Sequence, residues 1–112
     1  MRVYILGPMR GIRLYNFPLF DATANQLKLQ GHVPISPTDL DRAAGFNPEL
    51  LPANWDWTTL PAPLTLKGLV TQDIGALVSC DAFIRLPGWE LSVGARAELA
   101  VAMWLGLKEV KL

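Results

Sequence analysis

Residues 82–112 read AFIRLPGWELSVGARAELAVAMWLGLKEVKL, and this stretch decides the fold. Ala82 to Leu86 is an apolar run broken only by Arg85 and halted by Pro87-Gly88, the pattern of a buried strand that ends in a turn. Ser92 is placed to cap a long helix running to about Leu105, where Gly106 stops it, and Lys108 to Leu112 forms a last short strand. Strand, helix and strand in so short a span make a βαβ unit, which requires a parallel sheet.

Working outward, the rest of the chain repeats the alternation. Arg2 to Leu6 (RVYIL) reads as a buried first strand ending at Gly7-Pro8. Asn16 is expected to cap a helix with Pro18 near its start, because Phe17, Phe20, Ala24 and Leu27 recur at helical spacing before Gly31. His32 to Ser36 is a weak strand that Pro34 assigns to a sheet edge or a strand end. Lys67 to Ser79 has Leu69, Val70, Ile74, Leu77 and Val78 at helical offsets and delivers Asp73. The expected architecture is a single α/β domain over residues 1–112, with helices on both faces of a parallel sheet of four or five strands. From 36 to 63 the chain is Pro-rich and carries Trp55-Asp56-Trp57. No core helix is expected there; the segment reads as a functional loop or lid.

Composition narrows the function. The 112 residues are one domain's worth, and 51% hydrophobic content is enough for a core. Ten Lys+Arg against ten Asp+Glu give zero net charge, which argues against a duplex nucleic-acid partner. Apolar stretches are too short to span a membrane and no signal peptide is legible, so a cytoplasmic protein is expected. One cysteine, Cys80, and one histidine, His32, offer no Cys/His metal cluster. Neither metal nor organic cofactor is expected, and Cys80 reads as a small buried residue.

In parallel sheets, ligands collect outside the carboxyl ends of the strands. The segments that meet there are Gly7 to Gly11 and Pro87 to Gly94 with the start of the last helix. In Gly7-Pro8-Met9-Arg10-Gly11, the glycines permit tight turns and Arg10 offers a planar donor fork, or is simply solvated. Ser92 and Gly94 open a helix whose N-terminus suits an anion. Asp73 and Glu98 together supply a carboxylate pair of the kind glycosidic cleavage needs; the plainer reading makes both solvated, with Glu98 beside Arg96. Tyr4, Trp55, Trp57 and Trp89 are candidates to stack on a base or to pack.

These residues resemble the nucleoside 2-deoxyribosyltransferase superfamily, above all its 2'-deoxynucleoside 5'-phosphate N-hydrolases and small, uncharacterised phage and bacterial relatives (DUF4406-like). Tyr4-Ile5-Leu6-Gly7-Pro8-Met9-Arg10-Gly11 is similar to the hydrolases' first strand and G-S-I-R-G loop. Gln72-Asp73 before Cys80-Asp81-Ala82-Phe83 is similar to the Asp-bearing helix, and Gly94-Ala95-Arg96-Ala97-Glu98-Leu99 to the G-T-A-x-E-L pattern. The resemblance implies a flavodoxin-like or Rossmann-like three-layer sandwich that hydrolyses the N-glycosidic bond of a (deoxy)nucleoside 5'-monophosphate. In that reading Glu98 is the nucleophile, Asp73 assists proton transfer and Tyr4 sits in the pocket. Gly7, Met9, Arg10, Gly11, Trp89, Ser92 and Gly94 bind substrate and phosphate. Ser92 stands six residues before the glutamate, where a serine favours a nucleotide over a nucleoside. Pro8 in place of the serine, the Trp-bearing insert and Ala100 in place of a glycine depart from the pattern and bear on substrate identity. Alternatives are a deoxyribosyltransferase, a nucleotide-binding module without turnover, or an assembly protein anchored by Trp55 and Trp57. The resemblance also implies a homodimer.

Overall fold

A computed structural model describes residues 1–57 and 59–112 of the protein. Four strands, β1 (Arg2–Leu6), β2 (Val33–Ile35), β3 (Ala82–Arg85) and β4 (Lys108–Glu109), form one all-parallel sheet in the order β2-β1-β3-β4. Four helices accompany them: α1 (Phe17–Leu29), α2 (Pro37–Ala43), α3 (Leu66–Val78) and α4 (Val93–Trp104). The strand order is that of the flavodoxin-like doubly wound sheet, whose switch point lies between β1 and β3.

Alternation along β1 builds the layers. Val3 and Ile5 point to one face and pack with Phe20, Ala24 and Leu27 of α1. Tyr4 and Leu6 point to the other and pack with Leu77 of α3 and Ala95, Leu99 and Ala102 of α4. Both faces are thus covered, as a parallel sheet demands. Cys80 is buried in the second layer, and burial pushes its thiol up. At the strand ends, Gly7 lies so close to β3's exit that a Cβ there would sit 2.7 Å from the Leu86 Cβ.

Three local expectations are corrected. The 36–63 segment does contain a helix, α2, started by Ser36, whose Oγ accepts from the Thr38 amide, with Pro37 at the first helical position. Thr38 and Arg42 tie α2 to α1: the Thr38 hydroxyl and both Arg42 terminal nitrogens donate to Asp21. Asn16 does not cap α1 through its side chain; it is left-handed (φ 63°) and its Nδ2 donates to the Pro8 carbonyl at 2.9 Å. Leu14 and Tyr15 share the left-handed conformation, and the fully buried Tyr15 pins the turn by donating its hydroxyl to the Pro52 carbonyl. Finally, the C-terminal strand pairs only over Lys108–Glu109, extended by the Val110 amide bonding to the Phe83 carbonyl.

Candidate functional site

A cleft of about 650 Å³ opens at the switch point. Its walls are the loop after β1 (Gly7 to Arg10), the loop after β3 (Pro87, Gly88), the start of α4 (Ser92 to Ala95), and one side of α3. Its acidic groups come from three helices: Asp41 from the last turn of α2, Asp73 from the middle of α3 and Glu98 from α4. Arg10 lines it from the first loop.

Glu98 stands beside Leu99 and Ala95, which face the sheet, and is therefore only half-buried. Its Oε2 accepts a hydrogen bond from the Tyr4 hydroxyl, so the pairing with Arg96 is not the one formed. Tyr4 reaches it because the alternation of β1 turns this ring toward α4. Burial and the neighbouring Glu98 push the phenol well above its ordinary value, which keeps Tyr4 a donor. Burial pushes Glu98 up to about 8; Asp73 and Asp41 add to the rise, and the Tyr4 hydrogen bond opposes it.

The two aspartates are held together. Gln72, next to Asp73 on α3, places its Nε2 3.2 Å from Asp41 Oδ1 and 3.5 Å from Asp73 Oδ1. Burial pushes Asp73 up to about 6. Asp41 is only 2% exposed; burial and then the charge of Asp73 push it up to about 7, against the Gln72 hydrogen bond. Neither Asp41 nor Gln72 was an expected site residue. The legible signal was Ser36-Pro37, a helix start that places Asp41 at the end of a short helix beside α3.

The sequence leads to the expectation of an anion site at Ser92, Gly94, Arg10 and the loop after β1. Ser92 Oγ accepts from the Ala95 amide at 3.1 Å, leaving its own hydroxyl proton free to donate into the cleft. Gly94 also lines the cleft, and its missing side chain leaves open space beside Ser92. Arg10 is exposed, with its guanidinium 4.8 Å from the centroid of the Trp57 ring. Gly7 and Met9 line the cleft, whereas Gly11 lies outside it, donating its amide to the Ala53 carbonyl.

Two tryptophans fall elsewhere. Trp89 does not line this cleft. It sits under the Arg85 guanidinium, 4.9 Å away, in a second concavity at the β4 edge, because the 3₁₀ turn Trp89–Leu91 carries it past the sheet end. Trp55 likewise stays outside the cleft, with its indole nitrogen donating to the Thr59 carbonyl. Trp57 does touch the cleft, yet it is 8% exposed and packs against Phe46, Tyr15 and Leu69. Of the two uses weighed for it, packing is the one its contacts display.

Among the described residues, no helix is long and apolar enough to cross a membrane. Fold and site together define a doubly wound parallel α/β domain with a carboxylate-lined cleft at its switch point. The chain belongs to the family described as a domain of unknown function (DUF4406), which it matches over residues 1–111. No curated protein matches it.

Proposed function

We propose that the protein hydrolyses the N-glycosidic bond of a (deoxy)nucleoside 5'-monophosphate by double displacement. The observation that carries this reading is the hydrogen bond from Tyr4, which lies fully buried behind the cleft rather than lining it as expected, to Glu98, which does line it. It gives a carboxylate an oriented oxygen and a donor that favours its ionised form. Glu98 attacks the anomeric carbon as the base departs, Asp73 manages the proton, and water then releases the sugar phosphate. The phosphate binds at the N-terminus of α4, whose backbone amides and Ser92 hydroxyl are available to it, and Arg10, which also lines the cleft, supplies the positive charge. The apolar side of α3, with Leu66, Leu69 and Val70, receives the base. This assignment also rests on the resemblance of the Gly94-to-Glu98 stretch to the glycosyl-transferring superfamily.

The test is incubation with a panel of nucleoside monophosphates and chromatography for free base. Release by the wild type and none by Glu98→Gln is expected. Binding of nucleotides without release would leave a nucleotide-binding module, and transfer to an added free base would make the protein a transferase.

A further inference from the structure

Resting on the proposed N-glycosidase reading, we infer that Asp41 is a further catalytic residue: held beside Asp73 by the Gln72 amide, it delivers a proton to the departing base. Asp41 is the most deeply buried charged residue in the cleft, and only its Oδ1 is engaged, by Gln72. Among the described residues its Oδ2 has no hydrogen-bond partner, and the side chain lines the cleft. A buried carboxyl aimed at a ligand space, with one oxygen held and one free, is the arrangement of a proton donor.

The surrounding charges explain why a proton is retained. Asp73 faces Asp41 from α3, and Glu98 lies close enough for both aspartates to disfavour its ionisation. Tyr4 is also within reach of both, from β1. The nearest cation on α2, Arg42, is turned away and committed to Asp21 and Asp39. Arg10 belongs to the cleft's lining, but its guanidinium rests on Trp57. Carboxylates gathered without a committed cation cannot all ionise, so the cluster carries a proton at neutral pH. Asp41, the more deeply buried of the two and the one whose proton the charge of the other retains, is the store.

The step balances as follows. The bond from the anomeric carbon to the base nitrogen breaks, and its electron pair leaves with the base. The Asp41 carboxyl proton moves to a base nitrogen, while a Glu98 oxygen bonds to the anomeric carbon. In the second half, water's oxygen displaces Glu98 and its proton returns to the aspartate pair.

The experiment compares wild type and Asp41→Asn on two nucleotides that differ in leaving group. For a purine enzyme these are dGMP and its 7-methyl derivative, whose base departs without being protonated; for a pyrimidine enzyme, dUMP and 5-fluoro-dUMP. The asparagine keeps an oxygen for Gln72. Loss of a general acid lowers kcat by about 100-fold or more on the poor leaving group, with only a small change on the activated one. Because both substrates report on the same preparation, their ratio is insensitive to the folded fraction. An equal loss on both, or no loss, overturns the inference and leaves the N-glycosidase reading standing. A wild type that releases no base overturns that reading and the donor role with it. Carboxyl NMR adds an arm without turnover: the Asp41 midpoint falls in Asp73→Asn, and an unmoved midpoint means that the charge of Asp73 does not hold the proton on Asp41.

Discussion

Replacing Tyr4 with Phe removes one hydroxyl from a fully buried ring and leaves the packing of β1 against α4 unchanged. The lost group is the donor to Glu98, and a hydrogen bond to a charged acceptor is worth about 1.5–3 kcal/mol. At about 1.36 kcal/mol per pKa unit, the Glu98 carboxyl rises by roughly one to two units from its starting point of about 8. Glu98 must be ionised to attack, whereas Asp73 and Asp41, at about 6 and 7, must supply a proton. The required anion therefore titrates above the required acid, and the reactive form is a minority at every pH. Such a pair gives a flat-topped pH–rate profile. Its acid edge marks the donor, its alkaline edge marks Glu98, and its height falls tenfold for each unit by which the two are driven further apart. Tyr4→Phe should lower the plateau of kcat/KM by about 10- to 100-fold and move the alkaline edge outward by the same one to two units. The acid edge should stay where it is. Base release measured from pH 5 to 10 reads all three quantities, and carboxyl NMR of Glu98 reads the shift without turnover. A variant with an unmoved alkaline edge and an unmoved Glu98 midpoint would refute the assignment of Tyr4 as the group that tunes Glu98.

Further consequences are equally checkable. Glu98, Asp41 and Asp73 all titrate higher in the folded protein than their ordinary values of 4.5, 3.8 and 3.8. The folded state thus holds protons that the unfolded chain has released, and stability must fall as pH rises from about 4 to about 8. The melting temperature should be higher at pH 5 than at pH 8, with Glu98→Gln flattening the slope; a rise over that interval contradicts the burial of these groups. Gly7→Ala should cost about 1–3 kcal/mol in denaturant unfolding, since the new Cβ would meet Leu86 at 2.7 Å; wild-type stability would mean that the ends of β1 and β3 lie further apart. Arg10→Ala should weaken binding of a nucleoside monophosphate by about 10- to 100-fold and of the matching nucleoside much less, as titration calorimetry would show. Equal losses would remove Arg10 from the phosphate site.

Most of the fold was legible because its signals are local. The apolar runs Arg2–Leu6 and Ala82–Arg85, the Ser92 cap and the Pro34 edge signal each depend on residues close in sequence. Helix α2 was hidden by the proline content around it, although Ser36-Pro37 is a helix start rather than a break. The left-handed turn at Leu14 to Asn16 was not legible, because long-range contacts of Tyr15 and Asn16 with Pro52 and Pro8 hold it. The candidate site divides in the same way. The resemblance of the Gly94-to-Glu98 stretch singled out Glu98, and the pleat of β1 turns Tyr4 to meet it. Asp41 and Gln72 became visible only when α2 was laid against α3, and Trp89 left the site because the turn after β3 carries it into the concavity at the β4 edge. Pairings across such sequence distances are set by topology and leave no mark in local spacing.

The central claim is that Glu98 forms a bond to the sugar. Mixing the protein with a nucleotide that it turns over, quenching in acid within the first turnovers and mapping the digest by mass spectrometry tests it directly. The account predicts a sugar-phosphate adduct on the peptide carrying Glu98, absent from Glu98→Gln, which still binds the nucleotide. Full-rate base release by Glu98→Gln, or turnover with the adduct on a different residue, would contradict it.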